Sequence, residues 1–232
     1  MELAKDAIDF GLYTNSREAM LSFWQEVVGL PFEENLPAGG GVHQLRHGMN
    51  GSVMKINHAR DPLPEAGPSG YQELLIARAG LHAERSLVDP DGNRIRLVPP
   101  GTDGVERIGV RLGVRDESAQ HHFYAKVLGL EPCEERSYRL GSSVLSFALD
   151  GEVPADAPET CNRKMHAPGF RYITIQVGDV DTTHQEVVSR GGLEGFGPVT
   201  LGKVARISFV RDPDGNWIEL SQRASLTGAL PV

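Results

Sequence analysis

The chain repeats itself, and no other feature restricts its fold as tightly. The run Phe23-Trp24-Gln25-Glu26-Val27-Val28-Gly29-Leu30 returns one hundred residues later as Phe123-Tyr124-Ala125-Lys126-Val127-Leu128-Gly129-Leu130. Asp89-Pro90-Asp91-Gly92-Asn93 returns 123 residues later as Asp212-Pro213-Asp214-Gly215-Asn216. The two signals keep their order, so 232 residues divide into two related units rather than one large one. The second unit is 23 residues longer between its signals, about one helix with its connections. The boundary falls near Pro99-Pro100-Gly101, giving expected domains 1–100 and 101–223 and a patternless tail 224–232.

Apolar periodicity places the elements. From Arg17 to Val28, helical spacing puts Met20, Phe23, Trp24 and Val27 on one face, with Asn15 or Ser16 as cap and Gly29 as stop. Asp116 to Leu128 repeats this with Phe123, Tyr124, Val127 and Leu128. A third helix is expected from Val180 to Arg190, capped by Asp179 and closed by Gly191-Gly192. Its counterpart in the first unit is missing. Strict alternation marks strands at Ile8, Phe10 and Leu12, at Ile108, Val110, Leu112 and Val114, and at Ile173, Ile175 and Val177. Each Asp-Pro-Asp-Gly-Asn is a tight turn feeding another strand. The stretches 57–70 and 150–169, rich in Pro and Gly, serve as connections.

Charge and composition then exclude whole classes. With 23 Lys and Arg against 31 Asp and Glu, the net charge of −8 repels a phosphate backbone, so nucleic acid is not an expected partner. No apolar run approaches the ~18 residues that span a bilayer. Cys133 and Cys161 cannot form a disulfide framework, and the first residues carry no secretory pattern; the expectation is a cytoplasmic protein.

The order of strand, helix ending in Phe123-Tyr124 to Leu130, strand meander and closing Asp212-Pro213-Asp214-Gly215-Asn216-Trp217-Ile218-Glu219-Leu220 resembles the vicinal oxygen chelate superfamily. That superfamily includes glyoxalase I, extradiol ring-cleavage dioxygenases and bleomycin resistance proteins. The resemblance implies an α+β fold of four βαβββ-type modules, paired into two domains with curled mixed sheets around clefts, the second module lacking its helix. It implies a small-molecule substrate or ligand and a monomer or homodimer. In metal-dependent members it implies His or Glu ligands on the first strand of each module and Glu on the last.

Strand alternation picks the residues at those positions. They are Asp9, Lys55, Tyr71 and Arg96 for a first cleft, and Gly109, Ser146, Tyr172 and Glu219 for a second. Neither set supplies the three or four imidazole or carboxylate ligands that a transition metal needs. No cofactor is therefore expected, with a divalent Fe, Mn, Zn or Ni ion as the alternative. In the second cleft Glu219 is the candidate acid–base group and Tyr172 a donor to a substrate oxygen. Arg111 and Ser146 would contact substrate, Trp217 would form an aromatic wall, and His166 would reach in from its loop. A plain Arg111–Glu219 salt bridge is the competing explanation of that pair. Asp9 with Lys55 and Arg96 suits charge compensation or an anionic ligand. Two functions stay open: an isomerase, lyase or dioxygenase relative acting on a small oxygenated molecule, and a metal-free binding or sequestering protein.

Overall fold

Two helix-bearing copies of the repeat build the scaffold. The computed structural model describes residues 1–148, 165–228 and 230–231, so most of the expected connection 150–169 lies outside the described residues. The elements in order are β1 (Asp9–Thr14), α1 (Arg17–Ser22), β2 (Phe32–Gly39), β3 (Val42–Met49), β4 (Ser52–Ala59), β5 (Tyr71–Ala77), β6 (Arg85–Val88) and β7 (Arg94–Val98). There follow β8 (Ile108–Gly113), α2 (Glu117–His122), β9 (Glu131–Glu134), β10 (Ser137–Leu140), β11 (Ser143–Ala148), β12 (Gly169–Gln176), α3 (Val180–Ser189), β13 (Leu193–Leu201), β14 (Ala205–Arg211) and β15 (Trp217–Arg223). The tail, expected to lack pattern, forms one helical turn, α4 (Ala224–Thr227). Residues 78–84 join β5 to β6 without a helix. No helix among the described residues is long and apolar enough to cross a membrane.

Both long amphipathic helices depart from α geometry at the repeated aromatic pair. α1 and α2 continue as single π turns, Phe23–Val27 and Phe123–Val127, in which Val28 and Leu128 donate to the carbonyls of Phe23 and Phe123, each at 2.9 Å. A π turn holds one residue more than an α turn and so rotates the residues after it about the helix axis. In the first copy Met20, Trp24 and Val28 are buried, while Val27, expected on the apolar face, is 47% exposed. Gly29 and Gly129, at φ of 77° and 73°, then turn the chain out of the helix. α3 follows its expected form, with the Asp179 side chain accepting from Thr182 N at 3.0 Å.

Strand pairing links modules that are not neighbours in sequence. One mixed sheet has the order β13-β14-β15-β12-β1-β4-β3-β2, the other β6-β7-β5-β8-β11-β10-β9. β1 pairs antiparallel with β12, and β5 antiparallel with β8, so each sheet takes strands from both sides of residue 100. The core lies between the sheets and includes Ile8, Phe10 and Leu12 of β1, Leu74 and Ile76 of β5, Trp24, Tyr124 and Val187. Phe10 meets Tyr71 and Phe170 edge-on, with ring centroids 5.6 and 4.7 Å away. Residues of opposite parity on each strand face away from this core and line the clefts.

The two repeated turns also tie the sheets together. Asp212 Oδ1 accepts from the N–H groups of Asp214 and Asn216 at 3.0 and 2.9 Å, and Oδ2 accepts from Asn216 Nδ2 at 2.8 Å. Asp89 makes the same three bonds with Asp91 and Asn93. The amide oxygens then reach across: Asn216 Oδ1 accepts from Gly70 N before β5, and Asn93 Oδ1 from Phe170 N in β12. Burial raises both aspartates to about 6, the Asn hydrogen bonds only partly opposing it. A folded value above the ordinary 3.8 means that the folded state holds more protons between the two values. Stability from these groups is fully present below pH 3.8 and is lost as pH rises through about 6. Asp212→Asn is expected to reduce the fall in unfolding free energy between pH 4 and 7 by about 2–3 kcal/mol, measured by urea titration. An unchanged slope would show that Asp212 does not titrate in this range.

Candidate functional site

The outer face of the eight-stranded sheet gathers a charged cluster by register. Asp9 stands opposite Thr174 on β12, and Thr174 opposite Glu219 on β15. In the next row Arg46, Lys55, Gly11 and Tyr172 are successive neighbours on β3, β4, β1 and β12. Gly11 matters because it has no side chain. A Cβ there would lie 2.2 Å from Tyr172 Cζ, so only glycine lets the tyrosine ring lie across β1. The Lys55 Nζ lies 5.5 Å from the centre of the Tyr172 ring.

The Lys55 ammonium ends in a closed triangle. Its Nζ donates to Thr174 Oγ1 at 2.6 Å and to Glu219 Oε2 at 2.7 Å, and Thr174 Oγ1 donates to the same carboxylate oxygen at 2.6 Å. All three side chains are buried. Asp9 lies beside them, 1% exposed, and accepts from Lys5 Nζ at 2.5 Å, Val53 N at 2.9 Å and Gln176 Nε2 at 3.1 Å. Burial alone would raise its carboxyl, but the ammonium groups of Lys55 and then Lys5 outweigh burial and hold it below the ordinary value. Gln176 Oε1 is buried without a donor.

Lys55, Gln176 and Glu219 of this cluster line a cavity of about 320 Å³. Lys55, Gln176, Ser221, Arg46 and Arg223 supply its polar wall with Glu219; Leu36, Pro37, Leu201, Val204 and Ile207 supply an apolar one. Three cations thus line it against one carboxylate. Glu34 compensates two of them from outside, 2.9 Å from Arg46 Nε and 3.7 Å from Arg223. Burial, and next to it the neighbouring Arg46, hold Arg223 below its ordinary value, an arrangement that an entering anion would relieve.

The seven-stranded sheet has its own cleft, about 490 Å³, lined by Glu73, Asp103, Arg111, Glu134, Arg136 and Ser146 among others. Two arginines on this face share a set of acidic partners. Arg96 lies 3.4, 2.8 and 2.9 Å from Glu73, Glu84 and Asp103, and Arg111 lies 2.7 Å from Asp103 and 3.6 Å from Glu73.

The structure regroups the residues expected at the sites. Asp9 and Lys55 lie on one sheet with Glu219 and Tyr172, Lys55 and Glu219 lining its cavity, while Arg96 shares Glu73 and Asp103 with Arg111, which lines the other cleft with Ser146. Tyr71 lies in neither: it packs on Phe10 in the core and donates to the Trp217 carbonyl at 2.8 Å. Gly109 has no room for a side chain, since a Cβ would meet Val105 at 2.6 Å. The alternative Arg111–Glu219 salt bridge does not form, because the two residues belong to different sheets and Glu219 pairs with Lys55. Tyr172 accepts from Asn57 Nδ2 at 3.0 Å and forms an aromatic cluster with Tyr13, Phe209 and Trp217 on the same sheet. His166 packs edge-on against Tyr13, ring centroids 4.9 Å apart. Thr174, Gln176, Arg46 and Arg223 were not singled out by sequence, although Thr174 and Gln176 follow Tyr172, and Arg223 follows Glu219, in the same strand parity.

A divalent metal does not fit these residues. Among the described residues no group of three or more His, Cys, Asp or Glu is placed to hold one. The cluster holds two carboxylates, the buried Asp9 and the cavity-lining Glu219, and Lys55 already bonds the second.

Two sheets built from strand–helix–strand modules, each with a cleft on its outer face, define a glyoxalase-type fold, and comparison with known proteins agrees. The family model described as Glyoxalase/Bleomycin resistance protein/Dioxygenase superfamily matches residues 107–220. A "Probable lactoylglutathione lyase" of Synechocystis sp. is 31% identical over 124 residues, covering 50% of this chain and 92% of that protein. A "Lactoylglutathione lyase" of Haemophilus influenzae is 33% identical over 130 residues, covering 52% and 93%. Glyoxalase I from Zea mays shares the fold, with a TM-score of 0.73 at 15% identity over 93% of this chain and 92% of that chain. The chain belongs to the glyoxalase/bleomycin resistance protein/dioxygenase superfamily and is homologous to lactoylglutathione lyase.

Proposed function

We propose that this protein acts, without a metal, on a small oxygenated organic anion held in the cleft of the eight-stranded sheet. One observation carries this reading: Lys55 and Glu219, locked to each other and to the buried Thr174 behind them, line a cavity with an apolar wall and a cationic one. Glu219 Oε2 takes both internal hydrogen bonds, which leaves Oε1 for a substrate proton. Lys55 and Thr174 fix that carboxylate in place, so proton transfer to or from a bound molecule needs no reorganisation of the site. Arg46 and Arg223 would anchor the charged end of the substrate and the apolar wall its body.

The test is turnover by chelator-treated protein, with lactoylglutathione and a panel of small oxo- and hydroxy-acids as probes. Chelation should leave activity unchanged, and Glu219→Gln should lower kcat by about 10²–10⁴-fold with little change in binding. Activity that survives Glu219→Gln intact would end the acid–base role. The second reading, a binding or sequestering protein, is favoured by the fact that Glu219 already has a partner in Lys55. It predicts ligand binding with no turnover in either form.

A further inference from the structure

We propose that the Lys55 ammonium is the built-in cation of this cleft, standing among Asp9, Thr174, Gln176 and Glu219 where a divalent ion would otherwise have to sit. The inference rests on the metal-free reading above and identifies the residue that makes it so. The groups around the ammonium are all oxygens: it donates to Thr174 Oγ1 at 2.6 Å and to Glu219 Oε2 at 2.7 Å, and the Asp9 carboxylate is close enough for Lys55 to be the charge that lowers it most. A fourth, Gln176 Oε1, is buried in the same wall with no donor. Its orientation is set by the bond from Gln176 Nε2 to Asp9, so the unpartnered atom is the oxygen. An all-oxygen set of this kind suits a hard cation.

The chain fills that role from within. Gly11, between Lys55 and Tyr172 in the register, leaves the space that the Tyr172 ring fills, and the Lys55 ammonium reaches past β1 to Thr174 on β12 and Glu219 on β15. An ammonium has three N–H donors, and two are used on Thr174 and Glu219. The third remains for a ligand oxygen, so Lys55 can hold an oxyanion and fix Glu219 at once, and it needs no third anionic ligand to balance its charge. Its single positive charge also repels any divalent ion that approaches the two carboxylates.

Replacing Lys55 should therefore open a metal site. Chelator-stripped wild type, Lys55→Gln, Lys55→Glu and the double variant Lys55→Glu/Glu219→Gln would be titrated with Mn²⁺ alone by calorimetry, with melting temperature followed in parallel. Wild type should take up no stoichiometric Mn²⁺. Lys55→Glu, with three carboxylates, should bind one Mn²⁺ per chain at least ~100-fold more tightly and gain melting temperature on binding. Glu219→Gln in that background should weaken binding by about 10-fold or more. Lys55→Gln guards against a Lys55→Glu chain that folds only with metal: removing the ammonium alone should already raise Mn²⁺ affinity above wild type. Stoichiometric, Glu219-dependent Mn²⁺ binding by wild type would overturn the proposal. Equal affinities across wild type and both single variants would overturn it as well. These readouts are independent of turnover, so a failed acid–base role for Glu219 and a failed cation role for Lys55 are told apart.

Discussion

Lys55→Met should destabilise the fold by about 3–5 kcal/mol at pH 7, the cost of removing one partner from a buried ion pair. The ammonium of Lys55 offsets two carboxylates, Glu219 at 2.7 Å and the adjacent Asp9, and both side chains are nearly inaccessible to water. Without it, Glu219 keeps only the Thr174 hydroxyl, and Asp9 keeps Lys5, whose own side chain is 21% exposed and therefore screened. Glu219→Gln should cost less, about 1–2 kcal/mol, because Lys55 still faces Asp9 and the amide oxygen can still accept a bond. The double variant should be more stable than the sum of the two losses implies, with a coupling of about 2 kcal/mol or more by denaturant titration. For a chain of this length the Lys55→Met loss corresponds to a melting-temperature drop on the order of 10 °C. Strict additivity would mean that Lys55 and Glu219 do not interact in solution as they do here.

The face of β1 was legible in the sequence, but its partner was not, and at β5 an irregularity between Tyr71 and Glu73 turns Tyr71 into the core against the alternation. Alternation at Ile8, Phe10 and Leu12 correctly turns Asp9 away from the core, since a strand of period two has only two faces. It is silent on whether β1 joins β5 or β12, because either neighbour buries the same residues, and that choice decides whether Asp9 and Lys55 meet Arg96 or Glu219. Sequence proximity favours the first, whereas the chain makes the second, with Asp9 opposite Thr174. Helix ends with local causes, such as Asp179 and the Gly after each π turn, were readable. The π turns themselves were not, because helical spacing counts 3.6 residues per turn through Phe23 and Phe123 and assigns Val27 to the wrong face. Arg46 belongs to the site only through a cross-strand neighbour, Lys55, which spacing along β3 does not reveal, whereas Arg223 follows Glu219 along β15 in the same parity.

Asp212→Ala should cost about 3–5 kcal/mol, a loss well above that of most single substitutions and far from either cleft's chemistry. The repeated turn looks like a loop connector, yet Asp212 is fully buried and accepts four hydrogen bonds, from two backbone N–H groups, Asn216 Nδ2 and the Tyr124 hydroxyl at 3.2 Å. Alanine leaves those donors unpaired where water is scarce, at about 1–3 kcal/mol for each that stays unsatisfied. It also frees Asn216, whose amide oxygen holds Gly70 N at 2.7 Å and so fixes the entry to β5 in the opposite sheet. Asp89→Ala removes the equivalent turn bonds but no tyrosine, so it should cost less. The two sites therefore separate the shared turn from the added Tyr124 bond. Because wild-type Asp212 titrates near 6 and alanine does not titrate, the Asp212→Ala loss should grow by about 2–3 kcal/mol between pH 7 and pH 4. Equal losses for the two alanine variants at both pH values would show that burial of Asp212 and its bond to Tyr124 contribute nothing beyond the turn.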